Sequence, residues 1–241
     1  MAANYCGSIY RARDEHNETA MTDFLMRYLF ERLTEYYPNI QSIRQVNDFS
    51  SQVQGVDLII ETDQGPVTVD IKAQLHYVNR NLPTQALELE FTGFRRRLGW
   101  FLSEKVINDA YLFVFPNSYL DSDPRKTDYN VDDFTNVEAL LISKRKLKEK
   151  LAEVGFSEKD LLETWLPRIK NTGEYRTNTA NPDIHFTTST FLAEKPINMI
   201  VSKSFLRKVA ECEFIIDKEG IQVNDPVTHQ SILPDTIERA A

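Results

Sequence analysis

At 241 residues, with 41% hydrophobic and 27% charged side chains, the chain can bury a core, which excludes a disordered or fibrous polymer. No apolar run approaches the roughly 18 residues that cross a bilayer, and Met1 to Arg13 lacks the apolar stretch of a secretory leader. The two cysteines, Cys6 and Cys212, form no CxxC pair and no metal-ligand spacing, so a cytoplasmic protein with no membrane contact is expected. The 28 Lys and Arg against 36 Asp and Glu leave a net charge of −8, which excludes a general polyanion binder driven by long-range attraction.

In chain order, Asn17 to Tyr37 predicts a helix, because Met21, Phe24, Leu25, Tyr28, Leu29 and Leu33 recur at steps of three and four before Pro38. Ile40 to Val46 predicts a strand, and Asn47 to Gln54 a polar connection. Val56 to Glu61 and Val67 to Ala73 predict two strands of a hairpin, in which Gly65 can take a positive φ. Leu87 to Phe91 suits a short strand. Phe94 to Asn108 predicts a helix with Leu98, Phe101, Leu102 and Val106 on one side. Ala110 to Phe115 and Val137 to Ile142 suit buried strands. Lys144 to Val154 and Ser157 to Ile169 predict helices broken at Gly155, with Ser157 as N-cap. Lys170 to Pro182 predicts a loop. A strand at Ile197 to Val201, a helix at Ser202 to Ala210 and a hairpin across Phe214 to Val223 follow. The mixture indicates a single α/β domain over 1–241.

The hairpin carries the chemistry. Side chains alternate between the two faces of a strand, so Val67, Val69 and Ile71 share one face while Asp70 and Lys72 share the other. If Thr62 pairs with Gly65, Asp57 lies directly opposite Asp70. A three-residue turn shifts that register by one and needs a bulge at Gly65 to keep the acids facing one way. In the first register the two Cβ atoms lie roughly 5 Å apart. Carboxylates that close repel unless a cation lies between them, and hard oxygen ligands suit Mg²⁺. An amine two residues along can orient water or neutralise charge on a phosphate.

An acid on one strand, a turn, and a second strand bearing Asp70-Ile71-Lys72 resembles the PD-(D/E)XK nuclease superfamily. The preceding helix and the Ala110 to Phe115 strand resemble its α-β-β-β-α-β core. The resemblance covers residues 16–118, with 119–241 a C-terminal α+β elaboration. It implies a restriction-endonuclease-like core: a central mixed sheet flanked by helices. It also implies hydrolysis of DNA phosphodiester bonds with Mg²⁺ or Mn²⁺, and it allows a homodimer. Asp57, Asp70 and Lys72 stand at the catalytic positions. Glu18, three and seven residues before Met21 and Leu25, matches the acid that many members add from the first helix. Asp57, Asp70 and Glu18 would then ligate metal, and Gln74 would touch the metal water or the DNA. Val56 replaces the proline that names the motif, and Asp70 stands where glutamate is commoner.

Arg95, Arg96 and Arg97 open the expected helix beside the site and are candidates for clamping the DNA backbone. Lys144-Arg145-Lys146, with Lys148 and Lys150, reads as a solvated helix face. The four histidines, His16, His76, His185 and His229, show no zinc spacing. Two alternatives stand beside the nuclease: a non-catalytic nucleic-acid-binding or interaction protein retaining the fold, and an unrelated α/β protein. In the second, Lys72 merely pairs with an acid on a solvated sheet face.

Overall fold

The computed structural model describes residues 3–46, 48–93, 96–189 and 194–224. Helix α1 (Ala3–Leu25) runs through a π turn (Met26–Phe30) into α2 (Glu31–Tyr36), and Pro38 follows. The periodic apolar residues do the expected work: Met21, Phe24, Leu25, Leu29 and Leu33 are all buried. Each such burial contributes about 1.5–3 kcal/mol, which fixes the helix across the sheet that follows.

Strand β1 (Ile40–Gln45) precedes a short helix α3 (Phe49–Val53), which lies inside the expected polar connection. The hairpin forms from β2 (Leu58–Thr62) and β3 (Gly65–Ala73). Thr62 pairs with Gly65 and Leu58 with Val69, so the two-residue turn and the register facing Asp57 to Asp70 are the ones adopted. The Thr62 hydroxyl donates to the Gly65 carbonyl at 2.8 Å and accepts from Gln64 N at 3.2 Å, while Gly65 sits at φ +122°.

A 3₁₀ turn (Leu75–Tyr77) leads to β4 (Thr84–Phe91), then β5 (Arg97–Leu98), β6 (Ala110–Ser118) and β7 (Phe134–Ser143). Next come α4 (Lys144–Glu153), α5 (Glu158–Asp160), a π turn (Leu161–Trp165) and α6 (Leu166–Thr172). Ser157 caps α5, and Gly155 turns the chain at φ +88°. The rest comprises β8 (Arg176–Asn178), β9 (Ile184–Thr188), β10 (Pro196–Ser202), α7 (Lys203–Arg207), β11 (Cys212–Ile216) and β12 (Ile221–Asn224). The expected loop from Lys170 therefore holds the end of α6 and a short strand. Among the described residues no helix is long and apolar enough to cross a membrane.

The result is a mixed α/β fold with two sheets. The larger has the order β1-β2-β3-β6-β7-β11-β12 and is antiparallel except for the parallel pair β3–β6. The smaller, β5-β4-β10-β9-β8, is antiparallel throughout. Strand β6 is buried on both faces, which explains its unbroken apolar run. Leu112 and Val114 pack with the layer of α1 and α2, while Tyr111, Phe113 and Phe115 pack with the smaller sheet and α4 to α6. Strands β7, β11 and β12 extend the same sheet that carries the hairpin.

The helix expected over Phe94 to Asn108 does not form among the described residues of that segment; Phe94 and Arg95 lie outside them. Arg97 and Leu98 instead pair with Phe91 and Glu90 as an edge strand, and turns follow. Backbone bonds from Gly99 N to Leu89 O (2.8 Å) and Phe101 N to Glu88 O (3.1 Å) hold this segment against β4. Phe101 and Leu102 are still buried, but in a turn. The crossover from β3 to β6 thus passes through the smaller sheet rather than a helix. Gly99 is required there, because a Cβ would collide with the Glu88 carbonyl. Gly99→Ala is expected to lower unfolding free energy by about 1–3 kcal/mol in a urea titration, as over-packing does; an unchanged midpoint would contradict the close approach.

Candidate functional site

Strand β3 runs on past the start of β2, and at that open end the hairpin meets the wall of α1 and the edge of β4. The cleft there has a volume of about 710 Å³. Asp57, Asp70 and Lys72 line its floor, Glu18 lines the α1 wall, and Glu88 lines the β4 wall.

Asp70 is 1% exposed, and its Oδ1 accepts from Lys72 Nζ at 2.6 Å. Its Oδ2 has no hydrogen-bond partner. Gly55, at φ +72°, leaves the room above that oxygen: a Cβ would stand 3.3 Å from Asp70 Oδ2 and only 2.7 Å from Val106 Cγ1. Asp57 is fixed by its backbone bond to Val69 O (3.0 Å) and by Oδ2 accepting from Ile71 N at 2.7 Å. Burial, with the neighbouring Asp57 carboxyl adding to it, pushes the Asp70 pKa up to about 7 against the opposing pull of Lys72. At neutral pH the Asp70 carboxyl thus carries only part of a full charge.

Lys72 is the one lysine of the lining, and its ammonium lies 5.1 Å from the Trp100 ring centroid. Glu18 is exposed by area yet sits against the concave wall. Desolvation there, with Asp14 and Asp57 nearby, raises its pKa while Lys72 lowers it. Glu88 behaves alike: burial raises its pKa, and Lys72 is the largest opposing influence. Behind the floor, Lys144 is turned inward rather than solvated, donating to Val106 O (2.6 Å) and Asn108 Oδ1 (3.2 Å). Burial brings its pKa down to about 8. The hydroxyl of Tyr111, the residue paired with Asp70 across β3 and β6, is buried without a hydrogen bond.

Of the expected site residues, Asp57, Asp70, Lys72, Glu18 and Gln74 come together at the cleft. Gln74 is committed structurally, because its amide nitrogen donates to Thr84 O and Gln85 Oε1, each at 2.7 Å. Arg96 and Arg97 are not part of the lining. Arg96 binds the buried Glu90, which also holds Lys170 at 2.8 Å. Arg97 lies over the Phe91 ring and 3.6 Å from Glu194. Arg95 lies outside the described residues. Neither described arginine opens a helix beside the site.

Among the described residues, no group of three or more His, Cys, Asp or Glu side chains gathers to hold a metal ion. The donor set nonetheless fits a hard divalent cation of the Mg²⁺ kind, which binds through one or two carboxylates and fills its remaining positions with water and substrate phosphate. The uncommitted, buried Asp70 Oδ2 beside a second carboxylate is the observation that supports this fit. Comparison with family profiles, curated proteins and solved structures finds no match.

A buried carboxyl that retains its proton in the folded chain, and loses it when unfolded, costs stability progressively as pH rises through the acid range to about 7. Asp70→Asn removes that cost. Its stability relative to the parent chain is expected to be about 2 kcal/mol greater at pH 8 than at pH 5, measured by urea unfolding at each pH. A difference independent of pH would contradict the raised pKa.

Proposed function

We propose that this chain is a divalent-cation-dependent nuclease that hydrolyses DNA phosphodiester bonds, on a restriction-endonuclease-like core of the PD-(D/E)XK kind. The observation that carries the reading is the floor of the cleft. Two carboxyls from adjacent strands converge there, one with an unengaged buried oxygen, and an amine lies 2.6 Å away. The parallel β3–β6 pair after an antiparallel β1-β2-β3 meander, with α1 packed across it, adds support from topology.

Asp57 and Asp70 would hold Mg²⁺ or Mn²⁺, with Glu18 assisting from α1. A bound ion supplies Lewis acidity and a more acidic water. The chain's own groups do the rest. Asp57 keeps its orientation through Ile71 N. Lys72, held beside Asp70 Oδ1, would orient water and meet the charge that grows on the phosphate oxygens. Trp100 limits where the ammonium can move. Gln74 serves the site by tying the end of β3 to β4.

A second reading has its own support: among the described residues only two carboxylates converge at the floor, and a non-catalytic nucleic-acid-binding or interaction protein retaining the fold needs no more than that. The two readings separate in a plasmid-cleavage assay. Nicking or linearisation is expected with Mg²⁺ or Mn²⁺ and lost in chelator. Lys72→Ala and Asp70→Asn are each expected to cut the rate by about 10²-fold or more, with both variants folded by circular dichroism. Cleavage that persists in chelator, or survives Lys72→Ala, would sink the catalytic assignment. DNA binding of equal strength with and without cation, and no cleavage, would establish the second reading.

A further inference from the structure

Taking the nuclease reading as its basis, we infer that the cleft receives an unpaired DNA strand, one phosphate being lowered to Asp70 and a neighbouring base stacking on Tyr77 at the mouth. Depth comes first. The Asp70 side chain is 2% exposed and Lys72 27% exposed, so the reacting phosphate has to descend between the α1 wall and the β4 wall. Duplex phosphates ride on the outside of a stiff double helix whose major groove alone is about 12 Å wide. A cleft of about 710 Å³ lies in the range that encloses a small ligand. It has room for a nucleotide. A single strand can dip one phosphate and splay its bases to either side.

Charge points the same way. Affinity for a duplex rests largely on lysines and arginines that neutralise a row of phosphates. The lining supplies one lysine against Glu15, Glu18, Asp57, Asp70 and Glu88. Several described cations are directed elsewhere: Arg96 to Glu90, Arg97 to Glu194, Arg13 to Asp128, Lys144 into the interior. With little phosphate neutralisation on offer, a ligand has to gain affinity from its bases.

Tyr77 supplies that surface. It lines the cleft with 46% of its area exposed, at the end of the 3₁₀ turn Leu75–Tyr77. The turn is held firmly. Tyr77 N donates to Gln74 O at 3.0 Å, the Gln74 amide is locked onto β4, and the next residue, Val78, is 2% exposed. A large ring left in water on a fixed backbone beside a phosphate-sized site is how base-stacking platforms are built, and stacking tolerates any sequence.

The test compares one labelled oligonucleotide sequence as a single strand, a blunt duplex and a splayed fork, with the full chain and Mn²⁺. Cleavage and fluorescence-anisotropy binding are read separately. The single strand and the fork arms are expected to be cut at least ~10-fold faster than the duplex. Tyr77→Ala is expected to weaken single-strand binding roughly tenfold, while Tyr77→Phe, which keeps the ring, binds as the parent does. A duplex cut as fast as the strand, or Tyr77→Ala binding the strand undiminished, overturns the inference while leaving the nuclease reading in place. No cleavage of any substrate defeats the nuclease reading. The anisotropy series then decides alone: strand preference lost in Tyr77→Ala upholds the unpaired-strand cleft, and equal binding of strand and duplex removes it.

Discussion

The placement of the Asp70 carboxyl, buried and facing a second acid, is the constraint on which the rest of the site depends. A carboxyl so placed is costly unless a proton, an amine or a cation offsets its charge. The fold provides the amine in Lys72 and raises the pKa so that the proton is retained near neutrality. It leaves one oxygen without a partner. Around that oxygen the backbone is close-fitting: Gly55 takes a left-handed turn, and a Cβ there would stand 2.7 Å from Val106 Cγ1. Asp57 is pinned in turn by the Ile71 amide. A stable core has no use for this arrangement, since an apolar residue at Asp70 would cost less.

The second sheet makes the pair into a site. Strand β4 alternates, with Leu87 and Leu89 in the core and Ala86 and Glu88 on the cleft. The close approach at Gly99 then lays Trp100 beside Lys72. The ammonium thus has an acid on the floor, an acid on the wall and a ring alongside. This crowding limits its movement to the space above Asp70, where a phosphate would arrive.

The hairpin was legible in the sequence because its information is local. Alternation sets the faces, the Thr62 to Gly65 turn sets the register, and the acids then have to meet. The helix through Met21 and Leu33 was legible for the same reason, since its apolar stripe recurs over many turns. The segment after Phe91 was not. Leu98, Phe101, Leu102 and Val106 have helical spacing, yet the backbone of β4 claims this segment through Gly99 and Phe101, a pairing outside the reach of local pattern. Arg96 and Arg97 therefore open no helix beside the site. Glu88 carried a usable signal, an acid alternating with Leu87 and Leu89 in a strand whose apolar residues dominate the pattern. Lys144 gave none: one lysine in a basic run is drawn inward by carbonyl and amide acceptors from a segment 36 or more residues earlier. Strand β8 was hidden in a Thr- and Asn-rich stretch, where partners on β9 override weak propensity.

On the proposed reading, two carboxyls exchange a proton for a divalent cation. That exchange is tested most directly by following the Asp70 carboxyl carbon by NMR across a pH titration, with and without saturating Mg²⁺, using Asp70→Asn to assign the resonance. The account predicts a midpoint near 7 in the free protein and a marked fall when Mg²⁺ is present. A midpoint in the ordinary carboxylate range, unmoved by Mg²⁺, would contradict it.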